Sequence, residues 1–407
     1  MPFSTIKCNS PDFVTLKLKT AEQIIDKISG FPRFPKEERL QRVTDYLSDL
    51  GNPHLDIKFV HVTGTNGKGS TCAMIASILQ EAGYKVGLFS SPHLFDWRER
   101  IQINKEMISK EAVLEHGSKL MDFQVGIFEA WFLMAMTYFS KEKVDIVVLE
   151  AGIGGKLDTT NVIPSPEVSV LTNVGLEHTA ILGATKEAIA LDKAAIKKDS
   201  ILVTGIEDPD LRAILPEHRA VQVAGPFWEK NEAVALEVIQ VLREGAWEIN
   251  ERDIEGGLLS VNWPLRMEVI KNDPLVIVDV GHNLHGARAI REAIPAKIKG
   301  KRYLWMGISS DKDYEEMAAI LSEGMDQVIL SEAHYHAVPA EDLAEHVEHG
   351  VVMPDPLEAA DYLIEHLQKE DQVYILGGLY FATDAVKALK NKGFCDDYRV
   401  TRKPEHI

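Results

Sequence analysis

At 407 residues, 45% of them hydrophobic and 26% charged, the chain has apolar material for two cores, and its size argues for two domains. A net charge of −18 argues against a general nucleic-acid or anionic-membrane surface, so positive charge for any anionic ligand has to be concentrated locally. The three cysteines, Cys8, Cys72 and Cys395, are scattered, form no disulfide framework or clustered metal motif, and point to a reducing cytoplasm.

The start, Met1 to Lys7, lacks the charged head and apolar core of a signal peptide. Residues 20–50 read as helices with polar faces, interrupted by Gly30-Phe31-Pro32-Arg33-Phe34-Pro35, a proline-bracketed turn read as a connector rather than a substrate loop. An apolar, β-branched run, Phe59-Val60-His61-Val62-Thr63, then feeds Gly64-Thr65-Asn66-Gly67-Lys68-Gly69-Ser70-Thr71, and Cys72 to Leu79 has helical composition with an apolar face. Strand, glycine loop and helix together make the build that cradles phosphate, because glycines let successive N–H groups converge on an anion. Lys68 adds a mobile positive charge, and Ser70 or Thr71 offers a hydroxyl to Mg²⁺ or a phosphate oxygen. The generic G-x-x-x-x-G-K-[ST] pattern is not met strictly, since Gly69 follows Lys68; the competing reading is a glycine-rich join without a ligand.

Lys85 to Phe89 reads as a second strand ending in Ser90-Ser91-Pro92-His93-Leu94, and Arg98 to Asn104 as a loop passing into a short strand. The longest apolar run, Phe128 to Phe139, is too short for a bilayer, which needs ~20 apolar residues, and reads as a buried core helix. Val144 to Leu149 is a nearly continuous apolar strand, as in a parallel sheet covered on both faces, and Glu150 follows it at once. Val168 to Val174 is a further strand, ending in Gly175-Leu176-Glu177-His178, and a helix containing Lys193 comes next. Such alternation means right-handed βαβ units with ligands at the carboxyl ends of the strands. The Gly64–Ser70 loop, Ser91, Glu150 and His178 each follow a strand, so four stretches bring phosphate- or metal-binding chemistry to one edge.

Residues 200–262 carry little readable pattern, and composition breaks at Asn262-Trp263-Pro264-Leu265-Arg266. Beyond it a second α/β series has strands at 274–279, 302–307, 327–330 and 372–376, so the chain divides into residues 1–262 and 263–407. Glu150 is a hard oxygen ligand suited to Mg²⁺ beside nucleotide phosphates, with a helix-capping or ion-paired glutamate as the alternative. His178, beside acidic Glu177, is balanced between ligand and structural residue. Lys193, taken bare, is a lysine on the solvated face of an amphipathic helix.

Taken together these residues resemble the folylpolyglutamate synthase/dihydrofolate synthase family, a branch of the Mur ligase superfamily. The resemblance rests on His61 to Thr71, Ser91-Pro92-His93-Leu94 with Glu99-Arg100-Ile101, Phe128-Glu129, Glu150 to Asn161, and Glu177-His178-Thr179 with Leu182-Gly183. In the second half Asp279-Val280-Gly281-His282-Asn283 is similar to the family's D-G-A-H-N and Asp311-Lys312-Asp313 to its D-K-D. It implies an N-terminal P-loop ATPase-type parallel-sheet domain plus a smaller C-terminal Rossmann-like α/β domain. It implies an ATP-dependent amide ligase that forms an acyl phosphate and adds L-glutamate to a folate, acting as a monomer without nucleic acid or membrane. Gly64, Thr65, Asn66, Gly67, Lys68, Gly69, Ser70 and Thr71 would then hold ATP, with Arg266, Asp279, His282 and Asn283 reaching it or the amino acid across a cleft that closes. Ser70, Ser91 and Glu150 would serve one Mg²⁺, and Glu150, His178 and Lys193 a second; the lysine is one that the family carbamylates.

Several positions depart from the family pattern. Lys156 replaces an arginine, Gly126 a threonine, Leu265 a glycine and Leu284 a proline; Gly378 stands where the family has a serine linked to glutamate binding, and His336 where it often has arginine. The departures lie on the substrate-facing motifs, which leaves two further readings. One is the same chemistry on another acceptor or amino acid, and the other is a nucleotide-gated binding protein without turnover.

Overall fold

The computed structural model describes residues 18–32 and 39–395; Cys8 and the Arg33-Phe34-Pro35 half of the proline-bracketed turn lie outside the described residues. Two sheets account for every strand in these residues. The first contains β1 (Lys58–Thr63), β2 (Val86–Phe89), β3 (Ile101–Ile103), β4 (Glu106–Met107), β5 (Ile146–Glu150), β6 (Val168–Leu171), β7 (Ile201–Thr204) and β8 (His218–Ala220), in the order β4-β3-β2-β5-β1-β6-β7-β8. From β2 to β8 all neighbours are parallel, and β3 and β4 add an antiparallel edge. Register pairs Val62 with Glu150 and Thr63 with Leu171, so β1, β5 and β6 finish level and their following residues share one rim.

Alternation along these strands sorts side chains onto two faces, as the period of two requires. Phe59, Val147 and Leu149 face a core built with the helices Ala21–Ser29, Arg39–Asp49 and Ile127–Glu142. Val60, Val62, Ile146 and Val148 face the opposite core, with the helices Lys68–Glu81 and Phe227–Glu244. The apolar run near 128–139 is thus the buried helix expected of it, and among the described residues no helix is long and apolar enough to cross a membrane.

The stretch 200–262, unreadable as sequence, completes this first layer. It supplies β7, β8, the helix Phe227–Glu244 and the helix Glu251–Leu259. The last of these packs so tightly that a Cβ on Gly257 would lie 2.5 Å from Ile78 Cα, and Ser77 Oγ donates to the Gly257 carbonyl at 2.7 Å.

The second sheet holds β9 (Glu268–Lys271), β10 (Leu275–Val278), β11 (Arg302–Met306), β12 (Gln327–Leu330), β13 (Gly350–Val352) and β14 (Gln372–Leu376), in the order β13-β12-β11-β14-β10-β9. Only β9 is antiparallel to its neighbour. Trp305 and Ile375 face a core closed by the helix Leu379–Asn391, while Leu304 and Tyr374 face one closed by the helices Leu284–Ala293 and Tyr314–Ser322. The α/β class holds in both halves, with the larger parallel sheet first.

Because the atoms facing Gly257 are helix backbone, Gly257→Ala should force the two helices apart and cost about 1–3 kcal/mol. Urea or thermal unfolding of the variant should show that loss.

Candidate active site

The glycine loop joins the end of β1 to the helix Lys68–Glu81, which starts at Gly67 in the left-handed region, φ +79°. A side chain there would also collide with Asn231, the nearest atom being 2.3 Å from its Cβ. The first-turn N–H groups of this helix have no partner within it, and the helix dipole adds positive potential at the same place. Lys68 folds back, its Nζ donating to the carbonyls of Gly64 and Thr65, both at 3.1 Å. Lys193 Nζ donates to the same Gly64 carbonyl at 2.8 Å.

The helix lysine that the bare sequence put in solvent is therefore buried, only 4% exposed. It is brought in by the segment after Glu150, where Gly155 N–H bonds Asp192 Oδ1 at 2.9 Å and Lys156 N–H bonds the Asp192 carbonyl at 2.9 Å. Burial, and secondarily the charge of Lys68, pulls the Lys193 ammonium down to about 7. Two cations meet over one neutral carbonyl at a helix N-terminus, which is an arrangement an anion would relieve.

The loop itself divides in two. Thr65 and Asn66 are bound to the end of β6: Thr65 N–H to the Asn173 carbonyl (3.0 Å), Asn66 N–H to Asn173 Oδ1 (2.9 Å), and the Asn66 carbonyl to Thr172 Oγ1 (2.6 Å) and Asn173 Nδ2 (3.1 Å). The Asn66 side chain pairs with Asn283 and His285 of the second half. Gly67 to Ser70 lead into the helix, with Asn231 against Gly67 and the Trp263 ring against Gly69. The Thr71 hydroxyl is fully buried and has no hydrogen-bond partner.

Along the rim, Ser91 N–H donates to Glu150 Oε2 at 3.1 Å, which sets Ser91 beside that carboxylate. Burial raises the Glu150 pKa against the pull of Lys68, the Ser91 amide and Arg266. Beyond Ser91, Arg100 Nε donates to His93 Nδ1 at 2.9 Å, so His93 Nδ1 is an acceptor; burial and Arg100 hold its pKa down, at about 4. Glu99 ties this loop by accepting from the amides of Leu94 (2.6 Å), Phe95 (3.0 Å) and Asp96 (2.8 Å).

After β6, His178 caps a short helix with φ +51°, and its Nε2 lies 3.8 Å from Glu177 Oε1. His282 Nε2 approaches the same oxygen at 3.4 Å from the second half. Burial pushes the Glu177 pKa up, but the contact with His282 and the charges of Lys68 and His178 outweigh it and hold the carboxyl well below its usual range. Among the described residues, nothing hydrogen-bonds the buried Glu177 Oε1. Sequence reasoning treated Glu177 only as a neighbour of His178; its position after a parallel strand was the signal available.

From the second half, Arg266 lies near enough to Glu150 and Asp279 for its charge to oppose the burial that raises both carboxyl pKa values. Asp279 is spent on backbone, accepting from Met267 N–H (2.9 Å) and Gly281 N–H (2.6 Å). Tyr380 opens the helix Leu379–Asn391, and its ring meets that of His334, whose Nδ1 and backbone N–H both bond Asp384 Oδ2, at 2.7 and 2.8 Å. The resemblance marked this helix start through Gly378, but not His334 or Asp384.

The structure thus brings Gly64, Gly67, Lys68, Gly69, Ser70, Lys193, Glu150, Ser91, Glu177 and His178 to one rim, faced by Arg266, His282 and Asn283. Among the described residues no three His, Cys, Asp or Glu side chains form a ready-made metal cage. The donors present are hard oxygens of Glu150, Ser91 and Ser70, with an unbonded Glu177 oxygen close by; that chemistry fits Mg²⁺, which keeps waters and takes phosphate oxygens to complete its shell.

Two family models match the chain: the Mur ligase middle domain over residues 62–248 and the Mur ligase glutamate ligase domain over residues 265–379. Folylpolyglutamate synthase of Lacticaseibacillus casei is 33% identical, the match covering 74% of this chain and 83% of that protein. E. coli FolC, solved in complex with DHPP and ADP, has a TM-score of 0.82 at 26% identity, covering 93% of this chain and 99% of that one. The bifunctional folylpolyglutamate synthase/dihydrofolate synthase of Yersinia pestis, solved with AMPPNP and Mn, also reaches 0.82, at 28% identity over 92% and 99% of the two chains.

The charged form of Lys193 is disfavoured in the fold, so it costs stability in full below pH 7, and that cost fades as pH rises toward the ordinary lysine value of 10.5. Lys193→Met in CO₂-free buffer should therefore raise the melting temperature at pH 6–7, by several degrees for a gain of about 1–2 kcal/mol, with the gain shrinking above pH 9. Calorimetry across that range checks the sign.

Proposed function

The chain belongs to the folylpolyglutamate synthase/dihydrofolate synthase family of Mur ligases and is an ATP-dependent, ADP-forming ligase; from that premise we propose that it adds L-glutamate to a folate through an acyl phosphate formed at the glycine loop. The observation that carries this reading is the meeting of Lys68 and Lys193 on the Gly64 carbonyl at a helix N-terminus, with Glu150 at the end of one strand flanking β1 and Glu177 after the other. Phosphoryl transfer asks the protein for position and charge neutralisation more than for covalent help. The first-turn amides of the helix Lys68–Glu81 and Lys68 take the β- and γ-phosphates, and Arg266 brings a further positive charge from the second half. The bond between the β,γ-bridging oxygen and the γ-phosphorus breaks, a bond from the substrate carboxylate to that phosphorus forms, and ADP leaves. The amine of glutamate then attacks the acyl carbon; the C–N bond forms, the bond to phosphate breaks, and the amine gives up a proton.

Mg²⁺, when bound, neutralises charge on the phosphate oxygens; Ser70, Ser91 and Glu150 would hold one ion, and Glu150, His178 and a carbamylated Lys193 a second. Carbamylation joins the neutral Lys193 amine to CO₂ and releases one proton, turning a cation that opposes Mg²⁺ into an oxygen ligand. The buried position of Lys193 beside Gly64, with its lowered pKa, supports that modification. We further propose that the protein is a monomer in a reducing cytosol, a setting in keeping with three cysteines scattered along the sequence.

ADP release should depend on both a folate and glutamate, and dependence on another pair would reassign the substrates. Lys68→Ala should lower it by about 10²–10³-fold with the melting temperature unchanged, because the ammonium neutralises transferring charge. Lys193→Ala should lose most turnover and regain part of it with added short-chain carboxylates; full activity without CO₂ or carboxylate would remove the carbamate.

A further inference from the structure

The nucleotide reading leaves one pair of contacts unused. The geometry points to Asn66 as a positioning residue, not a phosphate ligand. Its side-chain amide, paired with Asn283, ties the nucleotide loop to the second domain, so that nucleotide affinity and domain docking form one equilibrium. This rests on the nucleotide site proposed above.

Every donor of Asn66 is engaged. Its N–H goes to Asn173 Oδ1 at 2.9 Å. Its Nδ2 donates to Asn283 Oδ1 at 3.1 Å and its Oδ1 accepts from Asn283 Nδ2 at 2.9 Å, a closed two-bond ring of the kind two facing amides make. The second Nδ2 hydrogen meets His285 Nδ1 at 2.9 Å; an amide nitrogen only donates, so that ring nitrogen is the acceptor. Nothing on Asn66 is left to hold a phosphate.

Both ends of the pair are anchored. The Asn66 peptide is gripped by Thr172 and Asn173 at the end of β6. Asn283, 6% exposed, is the N-cap of the helix Leu284–Ala293, its Oδ1 also accepting from Gly286 N–H at 2.8 Å. The approach is close on the flank as well. A Cβ on Gly175 would lie 3.1 Å from His285 Cβ, and Gly175 N–H bonds Thr65 Oγ1 at 3.0 Å. Displacing the second domain therefore breaks three hydrogen bonds together, and they end one residue before Gly67, where the phosphate-facing amides begin. By reciprocity, whatever phosphate contributes to docking, docking returns to phosphate affinity.

The test is a double-mutant cycle on the full chain, reading the Kd of Mg-ADP by calorimetry. Asn66→Ala removes the pair from the loop side. Asn283→Ser keeps an N-cap oxygen but is too short to pair, and a melting curve verifies that it folds. Each single variant should weaken ADP binding by about tenfold, and the double variant should be no weaker than either single. Additive losses, about a hundredfold in the double, would mean that Asn66 touches nucleotide independently and would overturn the proposal. Unchanged affinity in Asn283→Ser would overturn it too. A wild-type chain that binds no ADP would overturn the nucleotide site itself, and the coupling with it.

Discussion

The structure turns on one backbone carbonyl. In a chain of net charge −18, the oxygen of Gly64 receives two ammonium groups, from Lys68 four residues on and from Lys193 across the sheet. Neither lysine has a carboxylate as its hydrogen-bonded partner there. Local positive potential is thus maintained inside an acidic protein by burial and backbone geometry, which keep Glu150 and Glu177 near enough to balance the charge without cancelling it. The level ends of β1, β5 and β6 are what make this possible, because they fix the heights at which Gly64, Glu150 and Glu177 emerge.

The same constraint separates the labour along the glycine loop. Residues Thr65 and Asn66 bind protein, on β6 and on the second domain, whereas the first-turn amides that follow Gly67 have no partner within their helix. A phosphate loop that floated free would have to be ordered on each binding event, at the cost of chain entropy. Here the first half is ordered by Thr172 and Asn173 in advance, so the second half is presented already shaped.

Much of this was legible in the chain. The apolar run of β5 and the glycine loop announce the parallel sheet, and the strand-end residues announce the rim, since one-dimensional pattern carries period and punctuation well. The helix Phe227–Glu244 went unread although Val234, Val238, Val241 and Leu242 line one face, because polar residues between them blur the stripe. The short, polar β8 has no strand signature to read. The helical pattern alone misplaced Lys193, which the family resemblance put at the site. Its charge suggested solvent, whereas it shares a buried face with Ile189, Ala190 and Ala194 and is covered by the loop that Asp192 binds. The pairing of Asn66 with Asn283 joins residues 217 apart, and Asp279 is claimed by Met267 and Gly281 amides; contacts of that kind are consequences of the assembled fold.

Glycines near the proposed site are required for two different physical reasons. Around the nucleotide loop, added atoms meet protein at once: a Cβ on Gly64 would stand 1.9 Å from Thr172 Oγ1, and one on Gly69 would stand 2.7 Å from the Trp263 ring. Such positions admit no side chain without moving a neighbour that itself holds the loop. At Gly378, where the resemblance implies a serine, nothing comes closer to an added Cβ than His282 Cβ at 4.0 Å. That space is open, but Gly378 has φ +154°, which an L side chain rarely adopts, so glycine is held there by its own backbone rather than by crowding. His334, Tyr380 and Asp384 stand around the same helix end. Glycines around the nucleotide loop are therefore fixed by contact with neighbours, and Gly378 by its backbone conformation.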